Sequence, residues 1–372
     1  MTRPGDLPGY LRDRLLGMFP HRAPTGLMRV GRPGRRSPVL VTGNFTLTVR
    51  RLRDVLRGRD AWLLIANSKG INVWCAAGGG HLTHHDIISA IRVSRLAEEV
   101  DRREVILPQL CATGVERRRI TEATGFKPRW GPARLEDLPA FLDRGERVIK
   151  SERFMRFPAW ERLEMATLWA APMLLVAVPI LAPAFGALTA AAAGLAMAAL
   201  AYGLFALLPW LQIKGRRRFL TFAVFAIAAA LLGSATLSAL GETTPAHLAA
   251  VAGASALAMG VLSIDLAGTT PWYGSYINTF QNEARIELVA DRCAGAAECV
   301  QVCPRDVLKM NGPRRKVEIR NPDQCIQCGA CIVQCPEDAL RFGYDDGRVV
   351  EAATIRRTRM NLLGRRSIEV RE

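Results

Sequence analysis

Between Glu164 and Lys214 the chain has no charged residue. That excludes a soluble amphipathic helix over the stretch, which would keep a polar face. Aromatic residues make up only 7% of the 372, too few for the stacking platforms that hold single-stranded nucleic acid. There is no G-x-x-x-x-G-K-S/T run and no G-x-G-x-x-G after a strand, so neither familiar phosphate-cradling loop is present. Acidic residues are scarce: 34 Asp and Glu stand against 50 Lys and Arg, a formal charge of +16. That excess suggests an acidic partner, either nucleic acid or an anionic membrane surface. With 23% charged and 49% hydrophobic residues, the chain is not disordered, collagenous or coiled-coil. Its mean hydropathy of +0.10 is high for so basic a protein. Charge and apolarity must therefore occupy different segments.

The uncharged stretch reads MATLWAAPMLLVAVPILAPAFGALTAAAAGLAMAALAYGLFALLPWLQI. A membrane-crossing helix needs ~20 apolar residues, so the stretch holds two, with a break near residues 183–186. Two further runs follow, one bounded by Arg218 and Glu242 and one ending near Asp265. The expected membrane domain covers residues 161–270, with spans at about 166–184, 187–209, 219–240 and 246–266. The loop KGRRR at 214–218 is basic, and the loop GETTP after the third span has no basic residue. The positive-inside rule places 214–218 in the cytoplasm. Four spans then put both soluble ends there too, as a multi-pass protein of the cytoplasmic (inner) membrane. Residues 1–37 form an Arg- and Pro-rich arm, expected to be a solvated tail rather than a cleavable signal.

Seven of the nine cysteines lie between Cys293 and Cys335. Cys325, Cys328, Cys331 and Cys335, followed by Pro336, show C-x2-C-x2-C-x3-C-P, the bacterial ferredoxin spacing. In that pattern three thiolates hold one cubane, and the fourth cysteine ligates the other cluster. Zinc sites usually show cysteine pairs separated by a longer loop, and a disulfide framework conflicts with a cytoplasmic placement. The preceding repeat, Cys293, Cys299, Cys303 and Pro304, has Ala296 where the second cysteine belongs. Cross-ligation then gives Cys303, Cys325, Cys328 and Cys331 one 4Fe–4S cluster. Cys293, Cys299 and Cys335 are left with a 3Fe–4S cluster, or a 4Fe–4S cluster with a labile fourth iron; the alternative is that only one cluster forms. The repeat is similar to a two-cluster α+β ferredoxin over residues 285–345, with KVEIR as a hairpin strand and PEDAL as a helix. Residues 271–284 read as a linker and 346–372 as a tail.

Residues 38–160 alternate apolar strands with helical stretches. PVLVTGN, AWLLIAN and REVILPQL read as strands, and HHDIISAIRVSRLAEEV, GVERRRITEAT and LEDLPAFLD as helices. This predicts an α/β domain with a mainly parallel, Rossmann-like sheet, which binds ligands at the carboxyl ends of its strands. At one such end lies NSKGINVWCAAGGG. Asn72 is the expected N-cap of a very short helix carrying Cys75, broken by the glycines at 78–80. A cysteine at a helix start is biased toward thiolate, the form that ligates metals; otherwise it is a small buried hydrophobe. The D-x-H-x-x-G pattern of corrinoid proteins with a histidine lower ligand is missing. His81, His84 and His85 are expected at a solvated helix start rather than at a metal site.

GINVWCAAGGG resembles the signature of the membrane corrinoid protein of microbial mercury methylation. The similarity continues through EVILPQLCATGV, TGFKPRWGPAR, DLPAFL and the membrane spans, over most of residues 38–270. That family's corrinoid domain is related to the large subunit of the corrinoid iron–sulfur protein of acetyl-CoA synthesis. The cysteine-rich segment resembles the same system's partner two-cluster ferredoxin, so the chain resembles a fusion of the two. The resemblance implies a cobalamin-type corrinoid with Cys75 as lower cobalt ligand. It also implies a cap helix contacting the cofactor through Asn72, Val73, Trp74, Cys75, Ala76, Ala77 and Gly78. A thiolate under cobalt donates electron density, as under haem iron, and favours release of the upper methyl group as an anion or radical. The ferredoxin segment is implied to re-reduce the cobalt, its tether raising effective concentration.

Three departures bear on the substrate: Gly79 stands at the signature's lysine, Ala296 at a cluster cysteine, and no cysteine follows Cys335. Soft Hg(II) needs thiolates, and only Cys75 and Cys111 lie outside the cluster motifs. The expected function is corrinoid-dependent methyl transfer to a soft acceptor, with Hg(II) one candidate. The alternative is a membrane-anchored ferredoxin serving another redox complex. Expected partners are the membrane, a methyl-donor protein or methylated carrier, and a cytoplasmic electron donor. A nucleic-acid partner rests on charge alone and is not expected.

Overall fold

The computed structural model describes residues 21–211, 217–264, 284–313, 315–360 and 366–367. Much of the N-terminal arm and tail, the linker up to residue 283, most of the basic loop and the end of the fourth span lie outside these. The chain forms two compact units, one comprising Met1–Arg156, Thr269–Trp272 and Asn282–Glu372, the other Phe157–Gly268 and Tyr273–Gln281.

The first unit opens with β1 (Gly26–Val30), β2 (Val39–Gly43), α1 (Thr46–Val55), β3 (Ala61–Ala66), α2 (Val73–Gly78), α3 (His84–Val93), α4 (Leu96–Glu99) and β4 (Glu104–Leu107). A 3-10 turn at Gln109–Thr113, α5 (Arg117–Thr124), β5 (Lys127–Trp130) and α6 (Leu138–Asp143) complete the α/β part. The sheet order is β1-β3-β2-β4-β5. β2, β3, β4 and β5 are parallel, and only β1 runs antiparallel, on β3.

Every residue of β2 and β3 is buried, because both sheet faces are covered. Val39, Val41, Trp62 and Leu64 face the layer that includes α2, α3, the 3-10 turn and α5. Leu40, Leu63, Ile65 and Ile106 face α1 and α6. This two-residue alternation builds a three-layer fold, each fully buried Leu or Ile stabilising it by ~1.5–3 kcal/mol.

Three expectations need correction. The sheet starts at Gly26, ahead of residue 38, because β1 is an edge strand whose half-exposed residues lack a continuous apolar run. The helix expected over HHDIISAIRVSRLAEEV divides at Arg95, whose left-handed φ of 49° separates α3 from α4. LEDLPAFLD begins as a 3-10 turn at Leu135–Asp137 before α6.

The second unit contains α7 (Ala159–Phe185), α8 (Ala187–Leu207), α9 (Arg217–Ala239) and α10 (Pro245–Ile264). All four are long and apolar enough to cross a membrane. Gly186, at φ 85°, makes the break between α7 and α8. Small residues allow close packing, as expected of membrane helices: a Cβ at Gly233 would stand 2.5 Å from Val251. Large apolar side chains point outward instead, with Leu175 75% and Leu257 71% exposed.

The first unit resumes with β6 (Arg285–Leu288), α11 (Glu298–Val302), β7 (Leu308–Asn311), β8 (Lys316–Ile319), α12 (Ala330–Val333), β9 (Leu340–Gly343), β10 (Val349–Val350), α13 (Ala352–Arg357), β11 (Arg359–Met360) and β12 (Arg366–Ser367). β9 pairs antiparallel with β6 and β10, and β7 with β8. KVEIR is a hairpin strand, but PEDAL is not a helix. Asp338 adopts φ 49°, and Leu340 already begins β9. The short helix of each repeat lies before its last cysteine instead.

Candidate functional site

Cys75 sits at the carboxyl end of β3, and the loop leading to it is pinned from beneath. The Asn44 carboxamide oxygen accepts from the backbone N–H groups of Ser68 at 2.8 Å and Gly70 at 2.9 Å. The Ser68 hydroxyl donates to the Ile71 carbonyl at 2.8 Å. Asn72 caps α2, its side-chain oxygen accepting the Cys75 N–H at 2.9 Å; such a cap contributes ~1 kcal/mol.

The six-residue helix turns Val73, Ala76 and Ala77 into the core. Trp74, Cys75 and Gly78 are half-buried. The 3-10 turn closes on α2 because Gly114 has no Cβ; one placed there would stand 2.1 Å from the Ala77 carbonyl oxygen. Arg359 lies against Gly80, where the glycine run ends the helix.

The two cysteines outside the cluster motifs are thereby told apart. Cys111 lies in the 3-10 turn with no exposed surface, and burial pushes its thiol far above the usual range. It is a small core hydrophobe. Cys75 is only half-buried, at a capped helix start, and a cysteine there suits a soft metal.

Among the three histidines, His84 departs from expectation. His85 is exposed, but the His84 side chain is only 16% exposed. Burial first, then His85 and Arg119, lower its pKa to about 4, so it is neutral. Its Nδ1 lies 3.7 Å from Glu116, too far for a hydrogen bond.

The seven remaining cysteines fall into two sets. Cys303, Cys325, Cys328 and Cys331 line one pocket. Cys293, Cys299 and Cys335 line another, together with Ala296. Each set draws on both repeats, the exchange that cross-ligation requires. Among the described residues no group of three or more His, Cys, Asp or Glu is set to hold a metal ion; the thiols line two pockets. Burial, then Cys335, holds the Cys299 thiol up at about 12. Burial, then Cys303, Cys328 and Cys325, raises that of Cys331. Buried, facing thiols cannot all ionise without a compensating cation, and iron supplies one. Backbone N–H groups also aim at the sulfurs, Ala339 at Cys335 from 3.2 Å, and Val307 at Cys303 and Gln327 at Cys325 from 3.4 Å. The donor set therefore fits iron–sulfur clusters.

The segment is not merely tethered. Val302, Cys328 and Ala330 belong to the same hydrophobic core as Ala76, Ala77, Cys111 and Ala112. Gln334, Arg117 and Glu298 join the two parts by polar contacts. Sequence reading missed all three, because their partners lie far away in the chain.

Comparison with known proteins divides the chain in the same way. Residues 18–142 match the family model described as CO dehydrogenase/acetyl-CoA synthase delta subunit, and residues 285–336 match the 4Fe-4S dicluster domain. The first match covers β1, ahead of the boundary expected at residue 38. Among curated relatives, the acetyl-CoA decarbonylase/synthase complex subunit gamma of Methanopyrus kandleri is 32% identical over 127 residues, 34% of this chain and 27% of that protein. The gamma subunit of Archaeoglobus fulgidus is 31% identical over 115 residues, 30% of this chain and 24% of that protein. Gamma subunit 2 of Methanosarcina thermophila is 39% identical over 90 residues, 23% of this chain and 19% of that protein. The chain spans about a quarter of the length of the first relatives it matches. The family model is named for a delta subunit and the relatives for gamma subunits, so the similarity marks a shared domain rather than a subunit role. The chain carries a domain of the CO dehydrogenase/acetyl-CoA synthase delta subunit family joined to a 4Fe-4S dicluster domain.

Proposed function

We propose that this is a membrane-anchored corrinoid iron–sulfur protein that transfers a methyl group from a Cys75-ligated corrinoid to a soft acceptor. The observation that carries the reading is the half-buried Cys75 on a capped helix, in one compact unit with two cysteine-lined pockets. A corrinoid bound there supplies a cobalt-held methyl group.

The chain's own residues prepare that chemistry. Asn72 fixes the first turn, and Cys75 is the residue that would ligate the cobalt. Val73, Ala76 and Ala77 anchor the helix in the core, while Trp74 and Gly78 would border the cofactor. Cys303, Cys325, Cys328 and Cys331 hold a 4Fe–4S cluster. Cys293, Cys299 and Cys335 hold a 3Fe–4S cluster or a 4Fe–4S cluster with one labile iron. Clusters held by these thiols would supply the electron transfer that keeps a bound corrinoid able to accept a methyl group.

α7, α8, α9 and α10 anchor the chain in the cytoplasmic membrane. The basic residues at 214–218 favour an orientation with both ends in the cytoplasm. A cytoplasmic electron donor and a methyl-donor protein or methylated carrier are the proposed partners. Mercury methylation is the narrower form of the reading. Gly79 and Ala296 weigh against Hg(II) and toward another soft acceptor.

The test is anaerobic purification of the full chain with cobalt and iron counts, then methyl transfer to Hg(II) and other soft acceptors. The protein should carry cobalt with a corrinoid absorption spectrum that changes in Cys75→Ala, and methyl transfer should be lost. A chain that takes up iron but no cobalt after reconstitution would leave only an electron-transfer subunit.

A further inference from the structure

The α/β part and the two-cluster segment are separated in sequence by the membrane helices, yet they share a core and a buried polar joint. Gln334, the residue before the ligand Cys335, is 8% exposed. Its amide nitrogen donates to the carbonyls of Ala112 and Val115, each at 2.8 Å. Both amide hydrogens are thus used inside the core, on the stretch that closes over the Cys75 helix.

Arg117, which begins α5, pairs with the carboxylate of Glu298, which begins α11. The Met155 N–H donates to the Pro304 carbonyl at 2.9 Å. Arg356 joins the Cys335 carbonyl at 2.9 Å to Glu116 at 3.7 Å. A buried amide whose partners were removed would be left unsatisfied. The joint therefore specifies one register, as a sliding or swinging contact would not.

We infer that the two-cluster segment is a permanently docked module, with Gln334 and the Arg117–Glu298 pair as positioning residues that set its register on the Cys75 layer. The functional half of this inference rests on the corrinoid reading; the docking half does not. In the docked state one electron leaves a reduced cluster, which is oxidised, and enters the bound cobalt, which is reduced. An external low-potential one-electron donor protein then reduces the cluster again. No undocking step intervenes.

The experiment uses the full chain in detergent with its clusters reconstituted. Three variants are compared with the parent: Gln334→Ala, Arg117→Glu, and the charge swap Arg117→Glu with Glu298→Arg. Hydrogen exchange is measured over residues 109–115. The rate of cobalt reduction after chemical reduction of the clusters is measured in parallel, with iron counts to confirm that the clusters remain. Gln334→Ala should speed exchange there roughly tenfold and slow cobalt reduction by a similar factor at unchanged iron content. Arg117→Glu should do the same more weakly, and the swap should restore both. Unchanged exchange in both single variants would overturn the docking, and faster exchange with unaltered cobalt reduction would overturn the positioning role. A chain that binds no cobalt refutes the proposed function, while the exchange data still decide the docking.

Discussion

The two ligand loops of the cysteine module share one backbone and differ in one donor. In residues 293–299 the left-handed positions are Gly295 (φ 77°) and Ala297 (φ 61°). In residues 325–331 they are Gln327 (φ 52°) and Gly329 (φ 74°), the same two places in the loop. Ala296 therefore occupies the site in its loop that Cys328 occupies in the other. Their surroundings differ as well: Cys328 is buried in the core shared with the Cys75 layer, while Ala296 is exposed. One repeat has kept the fold of a cluster loop and lost a thiol at the corner open to water. Loop shape and thiol count are thus separable.

The largest test makes the better loop like the poorer one. Cys328→Ala should cost the four-thiol pocket its full cluster and open a gap in the shared core. Cluster binding is folding free energy, so iron content and the unfolding midpoint should fall together. Iron analysis with thermal unfolding checks this. Unchanged iron would break the assignment of Cys328 to that cluster.

A smaller effect comes from repairing the poorer loop. Oxidised protein should show a 3Fe–4S EPR signal, strengthened by a brief chelator treatment that reaches the exposed corner first. Ala296→Cys should abolish the signal and add about one iron per chain. Two EPR-silent clusters in the unaltered chain would show that the missing thiol has no consequence.

What the sequence made legible follows the range of the forces involved. β2, β3 and β4 are legible because burial on both faces writes itself as unbroken apolar runs. The cysteine sets are legible because a cubane fixes ligand spacing within a few residues. β1 is not, because its edge position leaves it half polar. PEDAL looks helical by composition, but the left-handed Asp338 and the pairing of Leu340 with β6 turn it into a strand entry. Gln334 carries no local signal at all; its partners stand 222 and 219 residues away. Local pattern singles out Cys75, but that Cys111 is wholly buried shows only in the tertiary structure. His84 reads as solvated for the same reason, since its desolvation comes from tertiary packing.

The finest test concerns the backbone the two loops share. Ala297 sits at φ 61° and ψ 4° as the N-cap of α11, and its counterpart Gly329 sits at φ 74° and ψ 3° ahead of α12. For an L-residue this left-handed conformation costs roughly 1–2 kcal/mol, whereas glycine adopts it without a Cβ clash. Glycine gives back part of that advantage, because the unfolded chain becomes freer by ~0.4–1 kcal/mol. Ala297→Gly should therefore stabilise the cluster module by about 0.5–1 kcal/mol. Gly329→Ala should destabilise it by a similar amount, with neither change altering the iron count. Denaturant unfolding followed through the cluster absorbance measures both. Equal and opposite shifts would mean that the two loops are held by the same strain, and that ligand number alone separates them. If Ala297→Gly instead lowered stability, the first loop would not be the strained copy of the second that its backbone angles describe.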